Sequence, residues 1–272
     1  NNDNLSINDK NLTLLLNSMD NIIDILELPS LTNACVKSGY YSESLQINSY
    51  IKQLSTKYQN IPLISSISIE INKEISYMLS ALIRLLRSDL KQSTTIKVLS
   101  YIRKILPFND SISLNKNLKR IYLHSRYLFI INELSVLNPL KSHSTEKFIK
   151  RSIEVIREYC FSSIITFQTI FPSNNQQPDK IDNTQLLYGF IKNIIIHLIL
   201  ILRENFPKII DIQIRDSLLL QIVYCSQSLG RIGGEFSSLL LNFLNKNKSG
   251  IITDSEWCKV LKKQKSLIKN FK

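Results

Sequence analysis

The sequence predicts an all-α protein, an elongated rod of antiparallel helix pairs with no β-sheet. Glycine (6) and proline (7) are scarce among 272 residues, too few for the many tight turns of a sheet protein. Hydrophobic residues make up 44% of the chain, enough for one elongated or two compact helical domains and too many for a disordered one. Apolar residues also recur at three- and four-residue steps over long stretches, the period of a helix with one buried face.

The longest stripe opens at Pro62 and runs through Ile64, Ile67, Ile71, Ile75, Met78, Leu82 and Leu85 to Leu90. Proline suits a first helical turn, where its missing N–H costs nothing. A second helix is expected from about Glu146 to Phe171, with the stripe Ile149, Ile153, Ile156, Cys160, Ile164, Phe167 and Phe171, stopped by Pro172. A third begins near Thr184 and ends before Pro207, and a fourth runs from about Lys208 to Leu229. Shorter helices are expected over 12–27, 30–37, 41–59, 94–106 and 110–137. The polar, proline-bracketed stretch Pro172–Asn183 is the clearest linker, and Asn138–Ser144 is a smaller break. The organisation is thus an N-terminal helical arm over 1–28, rod segments over 29–171 and 184–245 with the linker 172–183 between them, and a basic amphipathic helix over 246–272.

The net charge of +12 invites a nucleic-acid reading, a basic helical module being the alternative function class. The charge is concentrated, however: residues 259–272 hold six lysines and no acid, half the excess. The other +6 is spread over 258 residues without a stripe, so no nucleic-acid partner is expected. Cys35, Cys160, Cys225 and Cys258 lie far apart with no CxxC pair, as expected of free thiols in a reducing compartment. The opening NNDNLSINDK lacks a basic region followed by an apolar core, so no signal peptide is expected. The most apolar run, Ile194–Leu202, is too short to span a bilayer and contains His197. A soluble, cytosolic chain follows, at most peripheral to a membrane.

No catalytic constellation stands out. His124, His143 and His197 lie in three segments, and His197 reads as a hydrogen-bonded core histidine. The SxxK spacing of Ser49 and Lys52 lacks its companion motifs. Gly230, Gly233 and Gly234 follow no strand and precede no Lys-Ser/Thr pair, so close helix packing or a kink explains them better than a phosphate loop. Asn245–Glu256 places Asn245, Asn247, Ser249, Gly250, Thr253 and Glu256 in the register of a calcium loop, yet with one anionic ligand and two intervening lysines. The preferred reading is a polar loop whose Thr253-x-x-Glu256 caps the next helix. Neither an enzyme nor a cofactor or metal is expected.

The segment Leu26–Leu54, LELPSLTNACVKSGYYSESLQINSYIKQL, reads as a helical hairpin. Pro29 starts a short helix, Gly39 ends it by accepting φ > 0, and Tyr40 and Tyr41 fill the corner. This order of side chains resembles the signature stretch of the family of subunit eight of the conserved oligomeric Golgi complex. IKVLSYIRKILPF, IEVIREYCFSSIITFQTIF, LLYGFIKNIIIHLILILRENFPK and LLLQIVYCSQSLGRIGGEF follow in the family's order, so the resemblance covers about residues 26–244. Members extend further on both sides, which makes 1–28 the end of a longer arm. The resemblance implies a tethering subunit without catalytic or cofactor residues. Its expected partners are other subunits of the complex, and tethering or fusion machinery, at the cytosolic face of the Golgi in retrograde vesicle traffic.

The final helix carries Trp257, Val260, Leu261, Leu267, Ile268 and Phe271 on one arc. Lys259, Lys262, Lys263, Lys265, Lys269 and Lys272 lie on the other. It can close the rod, dock on a partner subunit or lie on an anionic membrane. Packing on the rod or a subunit is the expected outcome.

Overall fold

The computed structural model describes residues 19–106, 111–172, 177–240 and 252–270. Among the described residues ten α-helices follow one another: α1 (Met19–Ser38), α2 (Tyr41–Lys57), α3 (Pro62–Leu85), α4 (Gln92–Ile105), α5 (Ser111–Val136), α6 (Asn138–His143), α7 (Thr145–Ile170), α8 (Gln177–Asn205), α9 (Ile212–Gly230) and α10 (Asp254–Asn270). A 3-10 turn, Phe206–Lys208, follows α8. The described residues contain no strand, so the all-α class holds.

The chain divides into two compact units, Asn1–Leu85 with Lys97–Asp110, and Leu86–Ile96 with Ser111–Lys272. In the first, α1, α2 and α3 pack on one another. The expected stripe of α3 supplies the core: Ile64, Ile67, Ile71, Ile75, Met78 and Leu82 are all buried. Burying such side chains contributes roughly 1.5–3 kcal/mol each, which is what holds a helix of this length against its conformational entropy.

In the second unit α7 is central and packs on α5, α6, α8 and α9. Its expected stripe is buried from Ile149 to Phe167, with Phe148 and Val155 added. The helix starts where Ser144, in extended conformation, accepts the Lys147 N–H. Its polar crossing point with α5 is unusual. Arg126 is buried, donating from Nε to Ser163 Oγ (3.2 Å) and from Nη1 to the carbonyls of Ser88 (2.7 Å) and Leu86 (3.4 Å). Its guanidinium lies 4.3 Å from the Phe129 ring centroid. Beside it, the Tyr122 hydroxyl donates to the Ser163 carbonyl (3.0 Å), and burial pushes its pKa up to about 12. Burial also lowers the pKa of Arg126, yet carbonyl and hydroxyl oxygens surround the cation.

Several boundaries differ from expectation. Pro29 does not start a helix; it is buried inside α1, which runs unbroken from Met19. Proline forfeits one backbone bond there, and the packing of α1 on both α2 and α3 outweighs it. The stretch 172–183 is not linker throughout, because α8 begins at Gln177, with Pro178 tolerated in the first turn. It also falls inside the second unit, whereas the chain passes between the units at 85/86, at 96/97 within α4 and at 110/111. The break at 138–144 contains the short helix α6, with Pro139 in its first turn.

The nine-residue apolar run sits in α8, where the span 182–208 is long and apolar enough to cross a bilayer by length and composition. Here α8 packs on α5 and α7 with Ile194, Ile195, Leu198 and Leu202 fully buried. His197 is half-buried and shares a 2.8 Å hydrogen bond with the Tyr127 hydroxyl, as expected of a satisfied core histidine.

Cys160 and Cys225 are both buried, and burial raises both thiols, that of Cys225 to about 12. Cys258 is exposed on α10. A thiol reagent applied to the native protein should modify Cys258 rapidly and leave Cys160 and Cys225 untouched until denaturant is added. Mass spectrometry of the labelled peptides checks this; modification of Cys160 in the native state would show that the α7 core is not closed.

Candidate functional site

Two helix corners and the C-terminal helix carry the residues singled out by sequence. At the first corner Gly39 has φ +82°. The Tyr40 N–H donates to the Cys35 carbonyl (2.9 Å) and the Gly39 N–H to that of Val36 (3.3 Å). These are the paired bonds of a Schellman cap, which needs a residue in the left-handed region just past the helix. Nothing lies within 4 Å of a Cβ built on Gly39, so the requirement for glycine is conformational, not steric. The Tyr41 ring lies edge-on to Tyr101 of α4 at 5.8 Å. Tyr40 does not fill the corner: it is 60% exposed. Its backbone caps α1 and accepts the Ser44 N–H, which turns the side chain outward.

The second corner repeats the device. Gly234 N–H donates to Leu229 O (2.8 Å), Gly233 N–H donates to Gly230 O (3.1 Å), and Gly233 has φ +85°. A Cβ on Gly234 would stand 3.0 Å from Ile191 Cδ1 and 3.2 Å from Leu229 O, so here the glycine serves close packing. Phe236 is then buried, its N–H donating to Ser226 Oγ (3.3 Å). This corner borders a cleft of about 230 Å³ lined by Leu187, Tyr188, Ile191, Phe236 and Leu239, with Lys192 and Glu235 its charged members.

The third feature is α10, whose N-terminus is a capping box. Thr253 N–H donates to Glu256 Oε2 (3.0 Å), and Glu256 N–H donates to Thr253 Oγ1 (3.3 Å). The other carboxylate oxygen, Oε1, pairs with Arg215 Nε (3.3 Å). Burial acts against the Glu256 charge, but the Thr253 hydrogen bonds and Arg215 outweigh it and hold the carboxyl below its ordinary range. Both oxygens of the one anionic candidate for a calcium loop are therefore engaged within the fold. Residues 245–251 of that loop lie outside the described residues. Among the described residues no three His, Cys, Asp or Glu gather as metal ligands.

Beyond the cap, α10 packs on α9. Trp257 (5% exposed) and Val260 (1%) are buried and Leu261 is half-buried, so of the candidate partner or membrane residues Trp257 is not free to contact either. The buried arc continues to Gln264, three to seven residues on, which no hydrophobicity pattern marks. Lys262, Lys263 and Lys265 are exposed, and Lys259 pairs with Asp216 at 3.4 Å. The Ile268 side chain and Phe271 lie outside the described residues.

The sequence model of the Dor1-like family matches residues 1–252. The chain belongs to the Dor1-like family. Proteins named "Conserved oligomeric Golgi complex subunit 8" resemble this Dor1-like chain across eukaryotes. The protein from Bos taurus is 26% identical over 87% of this chain and 37% of its own length. That from Dictyostelium discoideum is 30% identical over 86% of this chain and 29% of its own. The Schizosaccharomyces pombe relative is 26% identical over 89% and 68%. The chain spans about a third of the length of the mammalian relatives it matches. The family match takes in residues 1–25, ahead of the five blocks legible by eye, and ends before α10.

Two outcomes follow from this geometry. Gly39→Val should lower stability by about 1 kcal/mol or more, because a β-branched residue resists the left-handed region; an unchanged melting point would contradict the cap. A carboxyl with a depressed folded pKa stabilises above its unfolded value and ceases to as pH falls through the folded one. Glu256 titrates in this sense, so acidification through its depressed range should loosen the N-terminal turn of α10. Trp257, the one tryptophan of the chain, reports that step by a red shift of its fluorescence. The step should vanish in Glu256→Gln, and its persistence there would assign it elsewhere.

Proposed function

We propose that this chain is a non-catalytic scaffold segment of a Golgi vesicle-tethering complex, acting in intra-Golgi retrograde transport through contacts between helix faces. The observation that carries this reading is the match to a single family over residues 1–252, with relatives that bear the name of a subunit of one complex. Its partners in this reading are the other subunits, with tethering or fusion machinery beyond them, at the cytosolic face of the Golgi membrane. It works without a cofactor.

A surface of the kind a scaffold needs is present on α1. Met19, Ile23 and Leu26 are 43–52% exposed at the i, i+4, i+7 spacing of a helix-docking stripe. Asp20, Asp24 and Glu27 run alongside in a chain that is otherwise basic. An amphipathic partner helix with basic flanks fits this stripe and row.

Tagged protein purified from cells should bring down the other complex subunits. Ile23→Asp with Leu26→Asp should reduce that recovery at least tenfold while leaving the melting point unchanged, since neither side chain is buried. Failure to recover any subunit would refute the scaffold reading. The rival reading, a basic helical nucleic-acid-binding module, would be favoured by RNA or DNA binding that falls steeply with salt and survives deletion of residues 259–272.

A further inference from the structure

The loop between α8 and α9 carries an apolar tip that the scaffold reading does not use. Ile210 is 91% exposed and Ile212 64% exposed, two residues apart, while Ile209 between Lys208 and Ile210 is buried and anchors the loop. Isolated apolar residues on a surface are ordinary; two projecting from one turn, each nearly or mostly clear of the protein, are not accounted for by packing.

Arg215 ties this tip to α10. Its side chain donates to the Ile209 carbonyl (3.5 Å), pairs with Glu256 (3.3 Å) and stacks on Phe206 (4.5 Å to the ring centroid). Asp216 pairs with Lys259 one residue on. The first turns of α9 and α10 are therefore laid side by side. One to two turns further along α10, about 5–10 Å of axis, stand Lys262, Lys263 and Lys265, all exposed. They have no ion-pair partner among the described residues. Lys208 adds a fourth exposed cation at the base of the tip. Against them stand Asp254, at the start of α10, and Asp211, whose carboxylate accepts the Gln213 N–H as the α9 cap. Asp216 and Glu256 are neutralised in the ion pairs already named.

We infer that the Ile210–Ile212 tip and the lysine face of α10 form a docking surface for an anionic phospholipid bilayer. The arrangement selects a bilayer over a protein for two physical reasons. A projecting isoleucine needs a matching pocket on a protein but no shaped partner in the acyl boundary of a membrane. Lysines, compact charges on flexible stems, suit the diffuse field of anionic headgroups, whereas ordered carboxylates on a protein are better met by the arginine fork. Because Trp257 and Val260 are already covered by α9, α10 contributes charge, and the tip contributes insertion. The surface extends the scaffold reading and relies on it only for placing the chain beside a membrane. The scaffold reading stands or falls by subunit recovery, which vesicle binding does not decide.

The test is sedimentation of the 272-residue chain with vesicles of phosphatidylcholine alone or of phosphatidylcholine with phosphatidylserine. The expected result is salt-sensitive binding to the anionic vesicles and negligible binding to the neutral ones. Replacing Lys262, Lys263 and Lys265 by Gln together should weaken it about a hundredfold. Ile210→Ser with Ile212→Ser should weaken it about tenfold or more. Both variants should keep the wild-type melting point, since all five side chains are exposed or reach solvent. No binding to anionic vesicles, equal binding to neutral ones, or binding indifferent to either variant set overturns the inference. So does subunit recovery lost in these variants while vesicle binding persists, which would assign the surface to an acidic protein partner.

Discussion

Everything in this chain depends on covering isoleucine stripes that run the length of its helices. A helix with such a stripe is not stable in water by propensity alone, since forming it fixes the backbone and leaves the apolar face wet. Each long helix is therefore obliged to find a neighbour, and the geometry of the units follows. In the first unit the six-residue stripe of α3 is met by both α1 and α2. In the second, α7 buries residues over so wide an arc, eleven of its 26 with eight of them apolar, that it needs partners on several sides and becomes the centre. The same requirement carries the backbone of α1 past Pro29: the interrupted bond costs about 3 kcal/mol, less than leaving a helix face without its neighbours.

Stripes decide which faces meet but not where the chain reverses. That is settled by the helix ends, and by few residues. Of six glycines, Gly39, Gly233 and Gly234 stand in two Schellman caps, and the second also lets α8 approach closely through Ile191. The starts are fixed by side chains that accept backbone N–H groups: Ser144 for α7, Asp211 for α9 and Thr253 with Glu256 for α10. Each of these ends satisfies amides or carbonyls that would otherwise be left bare where the chain turns. Scarcity of glycine and proline thus marks a chain with few corners, several of them specified by these caps.

What was legible in the sequence follows the range of the interaction. The stripes of α3 and α7, the Gly39 cap and the Thr253–Glu256 box arise between residues three to five apart, and pattern reveals them. Pro29 reads locally as a break, but the packing of α1 on α2 and α3 outweighs that signal. Tyr40 and Tyr41 are neighbours in sequence but not in the corner, because Tyr40 is the non-helical residue ahead of α2 (φ −80°, ψ 66°) and its side chain stands in solvent. The Arg126 network was invisible, since nothing in the neighbourhood of Arg126 announces that Ser163 and the carbonyls of Leu86 and Ser88, 37–40 residues away, will surround it. Gln264 was missed for the converse reason: an amide on a buried arc breaks the hydrophobic pattern that would reveal it.

The C-terminal helix shows why amphipathicity by itself leaves a function open. A stripe of Trp257, Val260 and Leu261 opposite a row of lysines is equally the pattern of a core helix, a subunit contact and a membrane-surface helix. The decision rests on whether the apolar arc is already covered, and over its first turns it is: Trp257 and Val260 are buried where α10 packs on α9. An amphipathic helix so docked cannot enter a bilayer by its apolar side without undocking, which would expose Trp257 and break the Arg215–Glu256 pair. Its lysines, though, are displayed more rigidly than on a free helix, held to α9 by two ion pairs at one end. Any insertion must then come from another element at that same end. The isoleucine tip, fastened to the helix through Arg215, is the element the chain places there.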